Sequence, residues 1–162
     1  MSRVTGSLPR PSEVLPHGEA FRFVDTVIAL GERNIVATHL VPQDEPWTTA
    51  HFPSVAIVPG VLLIEGMAQT CGILARSFGE SVERTGAGML TAVRNARFHQ
   101  PVAPGCLLIY RAELLVRAGS LYNFRTTTSV GDQLIAEAEL LLHIDPLSST
   151  PSILPLIPGD GS

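Results

Sequence analysis

The sequence predicts an α+β fold in which one antiparallel sheet wraps around a single long central helix. Three observations predict it. A pair of strand-like segments comes first, rich in branched and aromatic residues, at 21–30 and 35–41. A segment that is apolar on every face follows, at 59–78. Four more strand-like segments then run in succession, separated by glycine-containing turns.

The elements are justified in order. Gly31-Glu32-Arg33-Asn34 is the turn that joins the first two strands. Residues 42–53 carry three prolines and read as irregular. Pro59 suits the first position of a helix, and the apolar run behind it should be buried on most sides, with Gly79 as its stop. The strands that follow are expected at 89–98, 107–117, 122–130 and 134–144. In the second of them Leu108, Tyr110, Ala112, Leu114 and Val116 mark one face by alternation. Ala118-Gly119-Ser120 and Gly131-Asp132 are the turns. Hairpin, buried helix and meander together make the arrangement called a hotdog fold. The expected domain spans 15–145, after a flexible lead-in at 1–14 and before a tail at 146–162 rich in proline, serine and glycine.

Length and composition narrow the function. A chain of 162 residues is one ordinary domain with room for a real core. Only 16% of the residues are charged and 45% are hydrophobic, against about 25% charged in an average protein. So sparse a charge suggests that a second copy of the chain covers part of the surface. The net charge of −4 gives no support for nucleic-acid binding. All 11 basic residues are arginine, which reads as genome composition first. Cys71 and Cys106 form no CxxC pair and no zinc spacing, so neither a metal site nor a disulfide framework is expected, and a reducing cytoplasm fits. The start of the chain has no apolar signal core. No apolar stretch reaches the roughly 18 residues that span a bilayer.

The chemistry gathers in the segment AHFPSVAIVPGVLLIEGMAQ, residues 50–69. Glu65 is the only charged residue between Pro59 and Ala75. A carboxyl among apolar neighbours is expected to stay neutral, with a raised pKa, which is what a general acid needs near pH 7; a position that merely reaches solvent is the plainer reading. Gln69 lies one helical turn on, where it can hold the Glu65 carboxyl or satisfy nearby backbone. His51, in the loop before the helix, is a structural ring or, paired with this carboxyl, a general base. Gly60 opens the helix, where free N–H groups and the positive dipole end would stabilise a carbonyl oxygen gaining charge; it is also an ordinary helix-start glycine. Base, acid and oxyanion donor suit proton abstraction beside a thioester carbonyl and loss of a hydroxyl from the next carbon.

This segment resembles the signature HFPGxPxMPGVLxxEAxAQ of the FabZ-type 3-hydroxyacyl-[acyl carrier protein] dehydratases. The matching residues are His51, Phe52, Pro53, Pro59, Gly60, Val61, Leu62, Glu65, Ala68 and Gln69, with the same spacing of 14 (65 − 51) between His and Glu. Leu15-Pro16-His17, Phe21 and Val24-Asp25 resemble the family's LPHRxPFLLVD. Ala96-Arg97-Phe98, Pro101-Val102 and Pro104-Gly105 resemble its KFRxPVxPGD. The resemblance implies a hotdog homodimer, or a trimer of such dimers, with an active site at the interface. It implies His51 as base, Glu65 as acid and the Gly60 N–H as carbonyl donor. Phe52, Pro59, Val61 and Gln69 are the expected substrate-binding residues. The product is a trans-2-enoyl thioester, and no cofactor is implied beyond the phosphopantetheine arm of an acyl carrier protein that brings the substrate. Ser54, Ala56, Val58, Gly18-Glu19-Ala20 and Cys106 depart from the family pattern. They leave the pathway open between fatty-acid and polyketide-type biosynthesis.

Other readings rank lower. A dehydratase that also isomerises its product typically carries Asp as its acid. A hotdog thioesterase lacks the HFP…PGVLxxE block. A supporting subunit of a heteromeric dehydratase needs neither His51 nor Glu65. His17 reads as structural, and His39, His99 and His143 have no metal-ligand spacing. Arg76, Arg94 and Arg97 could meet an acidic carrier protein or simply be solvated.

Overall fold

The computed structural model describes residues 7–78 and 88–144. One six-stranded antiparallel sheet holds everything together, in the spatial order β1-β2-β4-β5-β6-β3. The strands are β1 (Thr26–Leu30), β2 (Asn34–Leu40), β3 (Gly88–Phe98), β4 (Leu107–Ala118), β5 (Leu121–Val130) and β6 (Gln133–Ile144). Short helices α1 (Pro11–Val14) and α2 (Pro46–Ala50) precede the long helix α3 (Gly60–Arg76). This is the expected hotdog fold: α3 packs against β2, β4, β5 and β6, and Leu63, Met67, Cys71 and Leu74 enter a core shared with Ile35, Tyr110, Phe124 and Leu140.

The meander matches expectation closely because its alternation and its turns agree. Gly119 and Gly131 take φ of 61° and 55°, left-handed values that suit glycine in tight hairpins. Val116 is the exception within it. Leu114 pairs with Phe124 and Val116 with Asn123, so Leu115 is an extra residue. That bulge reverses the alternation and puts Val116 outside.

The other differences lie before the meander. The strand expected at 21–30 shortens to Thr26–Leu30. Phe21 instead closes a 3-10 turn (Glu19–Phe21), and the Phe21 carbonyl and Phe23 N–H are both bonded to the Gln69 side chain, which withdraws them from the ladder. The irregular stretch contains α2, opened by Pro46. Pro59 is extended and caps α3, which starts one residue later than expected. Within the expected lead-in, α1 buries Pro11 and Val14, and Val14 and Leu15 join the core. Gly79 and the tail lie outside the described residues.

Among the described residues β3 is an edge strand, paired with β6. It is bulged between Arg94 and Arg97, and Asn95 there takes φ 52°, as asparagine does more readily than most residues. Met89, Leu90, Val93 and Phe98 on this strand stand exposed.

Candidate active site

Glu65 sits on α3 at the mouth of a cleft. Leu15, Pro16 and His17 form one wall, Leu90 and Leu142 another, and Ala68 and Gly72 the helix side. The Glu65 side chain is 25% exposed. Gln69, one turn on, donates from Nε2 to Glu65 Oε1 at 2.9 Å. The same nitrogen donates to the Phe21 carbonyl at 2.8 Å, and Oε1 of Gln69 accepts from the Phe23 N–H at 2.8 Å. Gln69, expected among the substrate-binding side chains, therefore has both amide hydrogens committed internally and is 2% exposed. It is a clamp that ties the N-terminal segment to the helix and orients the carboxyl.

The clamp brings an unexpected partner to Glu65. Nε2 of His17 lies 3.4 Å from Glu65 Oε1, an ion-pair contact slightly longer than an ordinary N–H···O hydrogen bond. The His17 ring stacks on Phe21, centroids 6.4 Å apart, and Phe21 packs edge-on to Phe23 at 5.1 Å. Sequence reasoning read His17 as structural. Its membership in the Leu15-Pro16-His17 block was the available signal, but nothing in the spacing showed that this block folds back onto α3.

The electrostatics also correct the expectation for Glu65. The hydrogen bond from His17 holds its pKa below the ordinary carboxylate value, burial opposes this, and the Gln69 amide adds to the lowering. The apolar neighbours counted in the sequence mostly face the core, whereas Glu65 faces a wet cleft with two donors. In the single chain Glu65 is an ionised carboxylate near neutral pH.

A second carboxylate stands behind this network. Asp25 accepts from the Leu40 N–H at 2.7 Å and lies 3.0 Å from Nδ1 of buried His39. Burial is the largest single influence and pushes its pKa up, but these two bonds, together with the electrostatic influence of His39 and Arg22, make the net direction down.

The other expected residues are placed elsewhere. His51 follows α2; its ring is exposed and packs against Phe52 at 4.2 Å. Within one chain the described side-chain partners of Glu65 are His17 and Gln69, not His51. Pro59 is buried, Phe52 is exposed, and Val61 is 73% exposed. Gly60 starts α3 against Phe98: a Cβ there would stand 2.9 Å from that ring. A larger hollow of about 550 Å³ between α1 and β1 contains neither His51 nor Glu65. Among the described residues no cluster of three or more His, Cys, Asp or Glu is arranged to hold a metal ion, and no helix is long and apolar enough to cross a membrane.

Comparison with known proteins bears on this site. Residues 15–139 match the model of the FabA family, described as a FabA-like domain. The 3-hydroxyacyl-[acyl-carrier-protein] dehydratase FabZ of Petrotoga mobilis is 36% identical over 132 residues, covering 82% of this chain and 93% of that protein. The FabZ of Wolinella succinogenes is 40% identical over 133 residues, covering 79% and 88%. Among solved structures, the dehydratase heterocomplex ApeI:P from Xenorhabdus doucetiae superposes with a TM-score of 0.72 at 20% identity, covering 85% of this chain and 92% of that one. A hypothetical thioesterase from Streptococcus pneumoniae superposes at 0.57 with 10% identity, covering 76% and 88%. At such identities the last two speak for the fold alone.

Proposed function

The chain belongs to the FabA-like family as a dehydratase of the FabZ type, and from that premise we propose that it removes water from a 3-hydroxyacyl thioester on an acyl carrier protein to leave a trans-2-enoyl thioester. The observation that carries this reading is Glu65: the one carboxylate of α3, held at Oε1 and lining an open cleft.

A second copy of the chain completes the site. The exposed apolar residues of β3, Val61 at the head of α3, and Phe52 and Val55 in the preceding loop are large side chains that water disfavours and a second copy would cover. In the proposed homodimer His51 of one protomer stands across from Glu65 of its partner. His51 takes the C2 proton, Glu65 protonates the departing 3-hydroxyl, and the N–H of Gly60 polarises the thioester carbonyl. Closing the cleft removes water from Glu65. That strengthens the one influence that raises its pKa and favours the protonated acid. The reaction is proton transfer and elimination, so these residues call for no metal or redox cofactor. The relatives, named as 3-hydroxyacyl-[acyl-carrier-protein] dehydratases, support a place in fatty-acid biosynthesis; a cytoplasmic location rests on the unpaired cysteines of the sequence, and a polyketide-type substrate on the departures at Ser54, Ala56 and Val58.

The test is complementation between two dead chains. Glu65→Gln keeps the shape and removes the acid proton, so loss of 18 Da from a carrier-bound 3-hydroxyacyl chain, read by mass spectrometry, should stop. His51→Ala should stop it as well. Co-refolded, the two should recover about a quarter of wild-type activity, because half of the dimers are mixed and each mixed dimer has one intact site. Full turnover by E65Q would refute the acid, and silence from proven mixed dimers would refute the shared site.

A further inference from the structure

The acid proposed above is gripped at one oxygen by two donors, and one of them has no role in the reaction as described. Nε2 of His17 and the Gln69 amide nitrogen approach the same atom, Oε1 of Glu65, at 3.4 and 2.9 Å. Neither is described at Oε2. The other ring nitrogen of His17, Nδ1, is buried with no hydrogen-bond partner among the described residues. A buried N–H without an acceptor is the rarer orphan, so the ring hydrogen belongs on Nε2, where a carboxylate is in reach. Gln69 also holds the Phe21 carbonyl, and the His17 ring stacks on Phe21. One amide thus sets the position of both the acid and the segment that bears the histidine.

We propose that His17 is a positioning residue for the dehydration: its Nε2–H holds Oε1 of Glu65, so that Oε2 carries the proton delivered to the leaving hydroxyl. The proposal rests on Glu65 being the acid. In the step, the C2–H bond breaks toward His51, its electron pair forms the C2–C3 double bond, and the C3–O bond breaks. The departing oxygen takes the proton from Oε2 and leaves as water. Glu65 is left a carboxylate, and the Nε2–H bond, stronger to an anion than to a neutral acid, stabilises it. His17 and Gln69 keep their protons throughout, and solvent returns the proton from His51 to Glu65.

Among the described residues of the same chain few other charges face this carboxyl, and in the proposed dimer His51 of the other protomer faces it as well. Arg76, three turns along α3, borders the same cleft, while the lining from β3 and β6 is Gly88, Leu90, Leu142 and Ile144. Tyr110 from β4 lies beneath Gly66. A pH profile of the full-length enzyme therefore carries the His51 base on its acid limb and the His17–Glu65 pair on its alkaline limb. His17→Phe should lower kcat about 10- to 100-fold, the loss of one hydrogen bond to a charged group, with KM little changed. The alkaline limb of kcat/KM should move up, because an acid without its donor holds its proton to higher pH. His17→Gln, whose amide can donate but not titrate, should restore most of kcat and return the limb. An H17F profile that coincides with wild type overturns the proposal, as does equal loss in H17F and H17Q with the limb unmoved. If H17F does not fold by circular dichroism, H17A with added imidazole replaces it: recovery of kcat supports the role and no recovery overturns it. E65Q run alongside separates the two levels. An active E65Q removes the acid on which the proposal stands, whereas a dead E65Q beside an unimpaired H17F overturns the positioning role alone.

Discussion

Glu65 links the stability of the fold to pH. Its folded pKa lies below the ordinary value of 4.5, so the bonds from His17 and Gln69 contribute stability above that value. The contribution fades as pH falls through the folded pKa. Urea unfolding of wild type and E65Q should therefore show a gap near neutral pH that narrows as pH falls below the ordinary value of 4.5 and through the lower folded pKa. Asp25 is also held low, but it is common to both chains and cancels in the difference. A gap independent of pH would mean that Glu65 is not held as a carboxylate. The sequence showed that this carboxyl was unusual. It could not show the direction of the shift, because the donor, His17, is 48 positions away (65 − 17).

The seat of α3 on the sheet turns on one close approach. A Cβ on Gly66 would collide with the hydroxyl and ring of Tyr110, which is 1% exposed and has no room to move. Burial also raises the pKa of that phenol, so it stays neutral. Gly66→Ala should destabilise the protein by about 1–3 kcal/mol through overpacking, less up to about 1 kcal/mol gained in helix propensity. Adding Tyr110→Leu should relieve the clash, so the double variant loses less than the two single losses combined. Chemical denaturation of the four chains checks this, and a stabilised G66A would show that the helix does not sit so low. The helix itself was legible as a long apolar run and the strands as alternation. The Leu115 bulge was not, because one inserted residue leaves composition and propensity unchanged and shows only against its partner strand.

The whole molecule presents an apolar edge along β3 that a folded single chain leaves in water. Val93→Arg puts a charge at its middle, where the valine is already exposed, so the chain should fold with an unchanged circular dichroism spectrum. Its mass by light scattering should fall from dimer to monomer, and dehydration should fall with it, since each proposed site draws on two copies. A V93R chain that stays dimeric and active would place the interface elsewhere. The low share of charged residues pointed to a covered surface, but only the fold, which leaves the large apolar side chains of edge strand β3 exposed, shows where it lies.

By itself the sequence determined the hotdog class, the single central helix, the meander and the His51–Gly60–Glu65–Gln69 block. These are local patterns: periodicity, turn residues and a motif of fixed spacing, each readable within a short window. The tertiary structure alone decided that Leu15-Pro16-His17 folds back onto α3, that Gln69 is spent on Phe21, Phe23 and Glu65, and that in the single chain the pKa of Glu65 is held down rather than raised. Those outcomes depend on donors and acceptors that meet only when distant segments are packed together. Burial and hydrogen bonding, which set the pKa, are properties of that packing and not of the residue.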